Sequence, residues 1–155
     1  MKIGVISDTH NVFDPRIPGL FHGVEHILHA GDIGLPHILR QLEAIAPVTA
    51  VGGNTDEAAF RYRQTEIVSL AGHKFLIHHI VSPHALSEEL QSRISIEKPD
   101  VVVFGHTHKA FCERIGSILF FNPGSAGKSR FGLPRSAGIL RCNAQEIRTE
   151  FLALD

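Results

Sequence analysis

Five short polar motifs along the chain contain side chains of the types that bind metal ions. Each motif follows an apolar run with the length and composition of a buried β-strand. In chain order, the side chains are Asp8 and His10, Asp32, Asn54, His79, and finally His106 and His108. If the strands lie side by side, their carboxyl ends share one rim of a sheet and bring these residues together. Carboxylate, imidazole and amide ligands in one place suit divalent transition metals, so the pattern predicts a hydrolytic site with two metal ions.

Each motif has an ordinary alternative explanation when it is taken alone. Aspartate and histidine at a strand end are more often a cap or a surface turn, and Gly-Asp and Gly-Asn are common in turns. The most specific motif is Gly-His-Thr-His at residues 105–108, because two histidines after a valine-rich strand are hard to explain as core residues. Gly105 would let the backbone bend sharply there. The conjunction of all five motifs favours a metal site.

The composition is that of an ordinary globular protein. Of 155 residues, 43% are hydrophobic and 20% are charged, which predicts one domain over residues 1–155. Fifteen basic and sixteen acidic residues give a formal net charge of −1, which provides no overall attraction to nucleic acid or to an anionic membrane. A substrate that carries phosphate remains compatible, because bound metal ions would supply positive charge locally.

Neither a membrane-spanning segment nor a targeting sequence is expected. No apolar stretch reaches the roughly 18 residues that cross a bilayer. The N-terminus lacks the basic flank and long apolar segment of a signal peptide. The two cysteines, Cys112 and Cys142, form no CxxC pair and lie in strand-like runs, where small core residues are expected. We therefore expect a cytoplasmic protein with no membrane partner.

The elements expected to position the motifs alternate between strands and helices over the first two thirds of the chain. Strands are expected at 2–7, 25–29, 48–51, 66–70, 74–77 and 100–104, and helices at 16–21, 36–46, 56–62 and 85–96. Four further strands, at 110–114, 117–122, 137–142 and 147–152, predict a mostly antiparallel sheet at the end of the chain. Two sheets packed face to face, with helices outside, would bury both sets of strands.

The ordered set D-x-H, G-D, G-N, H and G-H-x-H resembles the calcineurin-like metallophosphoesterase superfamily. The short chain, its GNTD and GHTH sequences and the later Asn-Pro-Gly-Ser at residues 122–125 are similar to the compact bacterial and archaeal phosphodiesterase branch. That branch is related to a subunit of the retromer coat. The resemblance covers nearly the whole chain. It implies an α/β fold, a four-layer α-β-β-α sandwich of two mixed β-sheets flanked by helices, which agrees with the order of expected elements.

The resemblance also implies how the seven side chains divide between two divalent ions. One ion would be bound by Asp8, His10, Asp32 and His108. The other would be bound by Asp32, Asn54, His79 and His106, so that Asp32 bridges the pair. In the fourth motif the family pattern favours His79 over His78, although Ile80 stands where the family usually has glycine. Manganese is the expected metal, and iron, nickel, cobalt or zinc would also suit these ligands.

The activity implied is hydrolysis of a phosphodiester by a hydroxide that bridges the two metals and attacks phosphorus in line. Many members of the superfamily have a histidine directly after the asparagine, where it acts as general acid. Here Thr55 occupies that position, so no imidazole protonates the leaving oxygen from it. The sequence therefore predicts that activated aryl diesters are cleaved much faster than alkyl esters.

The expected partner is a small phosphodiester substrate, with nucleic acid only as an alternative substrate. A homo-oligomer is one expected state, because relatives in the branch commonly self-associate. Two alternatives stay open: a phosphomonoesterase that uses the same site, and a non-catalytic protein-binding scaffold like the retromer subunit. The presence of a competent side chain at all seven ligand positions favours the enzyme.

Several residues near the motifs have two interpretations. Asn11 is either a phosphate contact or a turn former. Lys128, Arg130 and Arg135 lie in the loop after Asn-Pro-Gly-Ser and either contact phosphate or form a solvated basic loop. The other histidines are expected at the surface or in hydrogen bonds, with one of them orienting a metal ligand. They include His22, His26, His29, His37, His73, His78 and His84.

Overall fold

The structure, a computed structural model that describes residues 1–155, consists of two five-stranded β-sheets with three short α-helices. The strands are β1 (Lys2–Ile6), β2 (His26–His29), β3 (Val48–Ala50), β4 (Thr65–Leu70), β5 (His73–His78), β6 (Val101–Val103), β7 (Phe111–Ile115), β8 (Ile118–Asn122), β9 (Ser136–Cys142) and β10 (Ile147–Ala153). The helices are α1 (Ile17–Leu20), α2 (His37–Glu43) and α3 (Glu88–Glu97), and Ala58–Phe60 forms one 3-10 turn. No helix has both the length and the apolar character needed to cross a membrane.

Both sheets contain parallel and antiparallel strand pairs. The first has the order β10-β9-β1-β2-β3, in which β1 is parallel to β2 and antiparallel to β9. The second has the order β4-β5-β6-β8-β7, in which β5, β6 and β8 are parallel and the outer strands β4 and β7 are antiparallel to their neighbours. The prediction of two mixed sheets is therefore confirmed.

The two sheets pack face to face around a shared core. Alternate residues of the central strands point inward, so that Val5, Leu28, Phe75, Val103 and Phe121 meet in one cluster without solvent exposure. Because side chains alternate along a strand, the residues between them point outward and need a second cover. The purely valine strand β6 is buried on both faces for this reason.

Helices provide that second cover on each outer face. On the first sheet, Ile6 and Ile27 pack with Ile38 and Leu42 of α2. On the second sheet, Val102 belongs to a cluster with Leu90 of α3. The layers are thus helix, sheet, sheet, helix, which confirms the predicted α-β-β-α sandwich.

The helices are shorter than the sequence predicts. The expected helix at 56–62 is only the turn Ala58–Phe60, because the Asp56 carboxylate accepts hydrogen bonds from the backbone N–H groups of Ile33, Gly34 and Gly53 and holds the chain in a loop. The expected helix at 85–96 begins later, at Glu88. Ser87 caps it, because its Oγ accepts a hydrogen bond from the backbone N–H of Leu90.

The prediction that the last four strands form one antiparallel sheet is wrong. Strands β7 and β8 complete the second sheet, where β8 lies parallel to β6. Strands β9 and β10 complete the first sheet, where β9 pairs with β1. The chain crosses between the sheets after β8, so hairpins that are consecutive in sequence are separated in space. Cys142 in β9 is buried as expected, whereas Cys112 on the edge strand β7 is exposed.

A network around Asp14 joins three distant segments of the chain. The Asp14 carboxylate, only 6% exposed, accepts hydrogen bonds from Arg16 and, at 2.9 Å, from Arg135 Nη2. Arg135 also donates to the carbonyl oxygens of Ala126, Gly127 and Leu154. Hydrogen bonds from Arg16, and then from Arg135, hold the pKa of Asp14 well below its usual range although burial opposes them. Arg135 therefore belongs to the fold and does not form part of a solvated basic loop.

We expect Asp14→Asn to lower the free energy of unfolding by about 3 kcal/mol, because the half-buried Arg135 guanidinium keeps only a longer pair, at 3.7 Å, with the exposed Asp155 carboxylate. The matched control is Glu150→Gln, which removes an exposed pair with Arg141 and should cost less than about 1 kcal/mol. Denaturant titrations of both variants measure the difference. Because the folded-state pKa of Asp14 is lowered, its stabilisation is complete above about pH 4 and is lost as the pH falls further. Equal stability of the two variants would contradict this role.

Candidate metal centre

All seven ligand candidates lie just beyond the carboxyl ends of β1, β2, β3, β5 and β6. Those strands are parallel neighbours within their sheets, and their ends meet at one rim of the sandwich. Backbone hydrogen bonds join the loops there: Asp8 N–H donates to Gly31 O at 2.9 Å, and Gly105 N–H donates to His79 O at 3.0 Å. The backbone N–H of His106 donates to Asp8 Oδ2 at 3.1 Å and so connects the two sheets.

Most of the ligand candidates have an unusual backbone conformation. Five of the seven have positive φ: Asp8 (55°), His10 (43°), Asp32 (54°), His106 (73°) and His108 (64°). Residues other than glycine rarely adopt this region, and such conformations are concentrated at functional sites. The backbone thus turns the side chains sharply inward at the strand ends.

The Asp8 and Asp32 carboxylates occupy the middle of the cluster. Asp8 Oδ1 lies 3.3 Å from His108 Nε2, 3.7 Å from His10 Nε2 and 3.8 Å from His79 Nε2. Asp32 Oδ2 lies 3.2 Å from His79 Nε2 and 3.6 Å from His10 Nε2. Each carboxylate therefore faces histidines on both sides of the cluster.

The imidazoles form two groups, one on each side of the carboxylates. On one side the rings of His10 and His108 have centroids 5.4 Å apart. On the other side the rings of His79 and His106 are 5.3 Å apart, and His106 Nδ1 lies 3.1 Å from Asn54 Oδ1. The structure therefore brings all seven predicted residues to one place, with His10 and His108 on one side of the carboxylates and Asn54, His79 and His106 on the other.

Hydrogen bonds hold one oxygen of each carboxylate and leave the other facing the centre. Asp8 Oδ2 accepts from Ser7 Oγ at 2.8 Å, and Asp32 Oδ1 accepts from the backbone N–H of Thr55 at 2.9 Å. Burial alone would raise the pKa of both carboxyl groups. The neighbouring imidazoles, chiefly His10 for Asp8 and His79 for Asp32, outweigh burial and lower both pKa values. Both groups are therefore ionised.

The donor atoms fit divalent metal ions. Asp8 Oδ1, His10 Nε2, His79 Nε2 and His108 Nδ1 are buried and have no hydrogen-bond partner, which is rare for polar atoms in protein interiors. Two groups of three donors, Asp8-His10-His108 and Asp8-Asp32-His79, each lie within 4.8 Å. Ligands at about 2.1 Å from a shared ion are about 3.0–3.5 Å apart, close to the separations measured between these carboxylates and imidazoles.

The adjacent histidines of the fourth motif point in different directions. His79 Nδ1 lies 2.7 Å from the carbonyl oxygen of Ala30, a bond that places the proton on Nδ1 and leaves Nε2 free to face the carboxylates. His78 Nδ1 lies 2.8 Å from Thr65 Oγ1 on the neighbouring strand β4. His79 thus lies in the cluster and His78 does not.

His29 is the histidine that supports the ligand loops, a role that the sequence alone does not assign to a particular residue. It is completely buried, its Nδ1 accepts from the backbone N–H of Gly31 at 3.1 Å, and its Nε2 lies 3.0 Å from Thr9 Oγ1. Thr9 Oγ1 in turn donates to Ile33 O at 2.7 Å. Burial lowers the pKa of His29 to about 4, so the neutral ring joins the loops after β1 and β2. In the sequence, only the position of His29 inside an apolar strand indicated this role.

Gly105 is required for space and not for a bend. Its φ lies outside the positive range, and the sharp turns fall on His106 and His108. A methyl group on Gly105 would lie 2.7 Å from Asp8 Oδ2 and would overlap the Ser7 hydroxyl. Glycine therefore lets the histidine loop of one sheet approach the aspartate of the other.

Asn11 forms a turn beside the cluster. Its Oδ1 accepts from the backbone N–H of Leu35 at 3.0 Å and lies 2.9 Å from His37 Nε2. The side-chain oxygen is thus engaged in a turn, and the amide Nδ2, the group that would donate to a phosphate, is not used by these contacts.

Two features border the metal centre on opposite sides. A cavity of about 410 Å³ adjoins Asn54 and His79 and is lined also by Asp56, Glu57 and Tyr62. On the other side the exposed ring of Phe131 lies with its centroid 5.8 Å from that of His108. Burial lowers the pKa of His108, and the charges of His10 and Arg130 lower it further against the effect of Asp8.

Comparison with known protein sequences finds metallophosphoesterases and phosphodiesterases that match most of this chain. A probable metallophosphoesterase from Methanothermobacter thermautotrophicus is 36% identical over 161 residues, which cover 98% of this chain and 92% of the relative. The phosphodiesterase YfcE of Escherichia coli K12 is 31% identical, over 90% of this chain and 87% of the relative. A phosphodiesterase from Methanocaldococcus jannaschii is 29% identical, over 96% of this chain and 97% of the relative.

Comparison with solved structures shows the same fold. An archaeal phosphodiesterase superposes with a TM-score of 0.80 and 27% identity over 98% of this chain and all of that one. Vps29 from Entamoeba histolytica, crystallised with Zn2+, superposes with a TM-score of 0.77 and 23% identity over the full length of both chains. The family model for the calcineurin-like phosphoesterase superfamily domain matches residues 1–145. With its ligand loops at the predicted strand ends, this chain belongs to the calcineurin-like phosphoesterase superfamily.

Proposed function

We propose that residues 1–155 form a single domain that hydrolyses phosphodiesters with two divalent metal ions. The observation that carries this proposal is the pair of ionised carboxylates between two groups of imidazoles, with the unpaired Nε2 atoms of His10 and His79 both facing the two carboxylates. Relatives that carry the name phosphodiesterase, at 29% and 31% identity, support the diester class. Membership of the family supports a metal-dependent phosphoesterase more generally.

The proposed ligands divide as the two imidazole groups do. His10 and His108 would hold one ion with Asp8, while Asn54, His79 and His106 would hold the other. Asp32 would contribute to both, and the proximity of its Oδ2 to both His10 and His79 supports this role. Asp8 Oδ1 has a similar central position, so both carboxylates would balance the positive charge of the two ions. Manganese is the proposed metal, because the nitrogen and oxygen ligands suit it.

The residues of the chain position the reacting groups and set the charge at the site. When bound, the ions supply a nucleophilic water of lowered pKa and neutralise charge on the phosphoryl oxygens. Hydrogen bonds from Ser7 and Thr55 fix the two carboxylates, and Ala30 O fixes the His79 ring. The backbone N–H of Thr55 donates to Asp32. The Thr55 side chain is a hydroxyl and not an imidazole that could protonate a leaving oxygen.

A non-catalytic protein-binding scaffold is the second candidate function. The fold similarity to Vps29 favours it, although at 23% identity that similarity concerns the fold alone. The enzyme is the stronger proposal because none of the seven ligand positions has lost its side chain. A phosphomonoesterase would use the same residues and would differ in the shape of the pocket.

We expect manganese-dependent hydrolysis of bis-p-nitrophenyl phosphate to depend on His79 and not on His78. His79→Ala should reduce the rate by at least about 100-fold and lower the bound metal, because it removes an imidazole that faces both carboxylates. The matched control, His78→Ala, removes the adjacent imidazole, which faces Thr65, and should retain metal and rate. Rates are measured on metal-stripped protein with and without manganese, and metal content by elemental analysis.

Asp32→Ala and His108→Ala should also abolish turnover in this assay. A silent wild-type protein across several metals would contradict the enzyme and favour the scaffold. An Asp32→Ala protein with near-normal metal content and rate would refute the bridging role.

We expect the rate to depend strongly on the leaving group. A general acid contributes about 10²–10⁴-fold, so a site with Thr55 in place of histidine should cleave p-nitrophenyl diesters at least about 100-fold faster than dialkyl esters. The measurement is kcat/KM over a series of diesters whose leaving groups differ in pKa. Thr55→His should narrow the difference if the new imidazole reaches the leaving oxygen. Equal rates across the series, with the chemical step limiting, would show that a general acid operates.

A further inference from the structure

The ring of Phe131 is the most exposed large apolar side chain of the protein. It is 81% exposed, although a phenylalanine normally gains stability by burial. Its centroid lies 5.8 Å from that of His108, with 57° between the ring planes. Because most of the ring remains accessible, this contact with His108 does not account for its position. The exposed ring therefore forms part of the rim of the metal centre.

The backbone conformation that exposes this ring is energetically unfavourable for phenylalanine. The backbone N–H of Leu133 donates to Arg130 O at 3.0 Å, which closes a four-residue turn. Both central residues, Phe131 and Gly132, have positive φ, at 57° and 65°. Turns of this kind favour asparagine or glycine at the first central position, and a bulky side chain there is disfavoured. Phenylalanine is thus a poor choice for the turn, and conflicts of this type are concentrated at functional sites.

The base of the loop is firmly attached to the protein. Arg135 donates to the carbonyl oxygens of Ala126 and Gly127 and pairs with the buried Asp14. The backbone N–H of Ser136 donates to Ser125 O at 2.9 Å, and Ser125 Oγ donates to Asp8 O at 3.3 Å. These bonds fix the ends of the loop against the segment that carries the first ligand.

The charged residues on the Phe131 side of the metal centre suit an anionic substrate. Lys128 and Arg130 are exposed, and neither forms an ion pair with a carboxylate of the chain. The cavity on the opposite side has no lysine or arginine in its lining and contains the carboxylates of Asp56 and Glu57. A phosphodiester bound at the metal centre would therefore have cations beside an aromatic ring only on the His108 side, because Tyr62 in the opposite cavity lies among carboxylates.

We propose that Phe131 is a specificity-determining residue whose ring stacks on a planar aromatic substituent of the substrate, while Arg130 attracts the phosphodiester charge. The inference rests on the proposed function and narrows its substrate class to diesters with an aryl or heteroaryl group, the chemistry shared by aryl esters and nucleosides. Aromatic pairs gain free energy beyond simple burial, and stacking on an exposed side chain tolerates any planar ring.

The test compares the binding of diphenyl phosphate with that of diethyl phosphate by calorimetry on the manganese-loaded protein. Wild type should bind the diphenyl ester about tenfold more tightly. Phe131→Ala should remove most of that preference and leave the affinity for diethyl phosphate within about twofold. Phe131→Tyr keeps the ring and should keep the preference. Ile96→Ala, which truncates a 73% exposed side chain on α3, is the matched control and should behave as wild type.

Metal content and turnover of bis-p-nitrophenyl phosphate are measured on the same samples. The inference would be overturned if wild type and Phe131→Ala preferred diphenyl phosphate equally, or if wild type had no such preference. In either case, normal turnover would leave the proposed function intact. Loss of metal in Phe131→Ala would show instead that the ring only supports His108, which also overturns the inference. A ring-dependent preference without any turnover would support the binding role and refute the phosphodiesterase.

Discussion

Two ionised carboxylates, Asp8 and Asp32, lie almost completely buried where the ends of the two sheets meet. Burial of a charge is unfavourable unless opposite charge or hydrogen bonds compensate it. The chain provides part of this compensation with Ser7, Thr55 and the surrounding imidazoles. The remaining unpaired atoms suit bound cations, which would balance the buried carboxylates and supply the metal-dependent chemistry of the family. The positions of the loops around the rim follow from this constraint.

The backbone at the rim is also under local strain. Positive φ at five of the seven ligand positions costs conformational energy that the rest of the fold must offset. The offset comes from the rigid strands on either side, whose inner and outer faces are both packed. Phe131 shows the same conflict between side chain and backbone outside the ligand set. Seven of the ten non-glycine residues with positive φ lie at or beside the metal centre, and the other three, Arg61, Ala71 and Lys98, lie in other turns.

The sequence predicted the site better than it predicted the connections. The convergence of the seven candidate residues could be predicted because each follows an apolar strand and parallel strands end at a common rim, whereas the choice of His79 over His78 came from the family pattern. The pairing of β9 with β1 could not be predicted, because hydrophobic alternation specifies which face is buried and not which strand is the neighbour. Nor could the roles of Asp56 and Arg135, whose hydrogen bonds join loops distant in the chain. Such tertiary contacts leave no local signal.

The seven side chains of the centre follow strands of two different sheets, and this has a mechanical consequence. Asp8, His10, Asp32 and Asn54 follow strands of the first sheet, whereas His79, His106 and His108 follow strands of the second. An ion held by both sets is a cross-link between the two sheets, comparable in effect to a disulfide that closes the open edge of the sandwich. Binding to the folded state alone stabilises it, so metal supply would govern the lifetime of the protein as well as its activity.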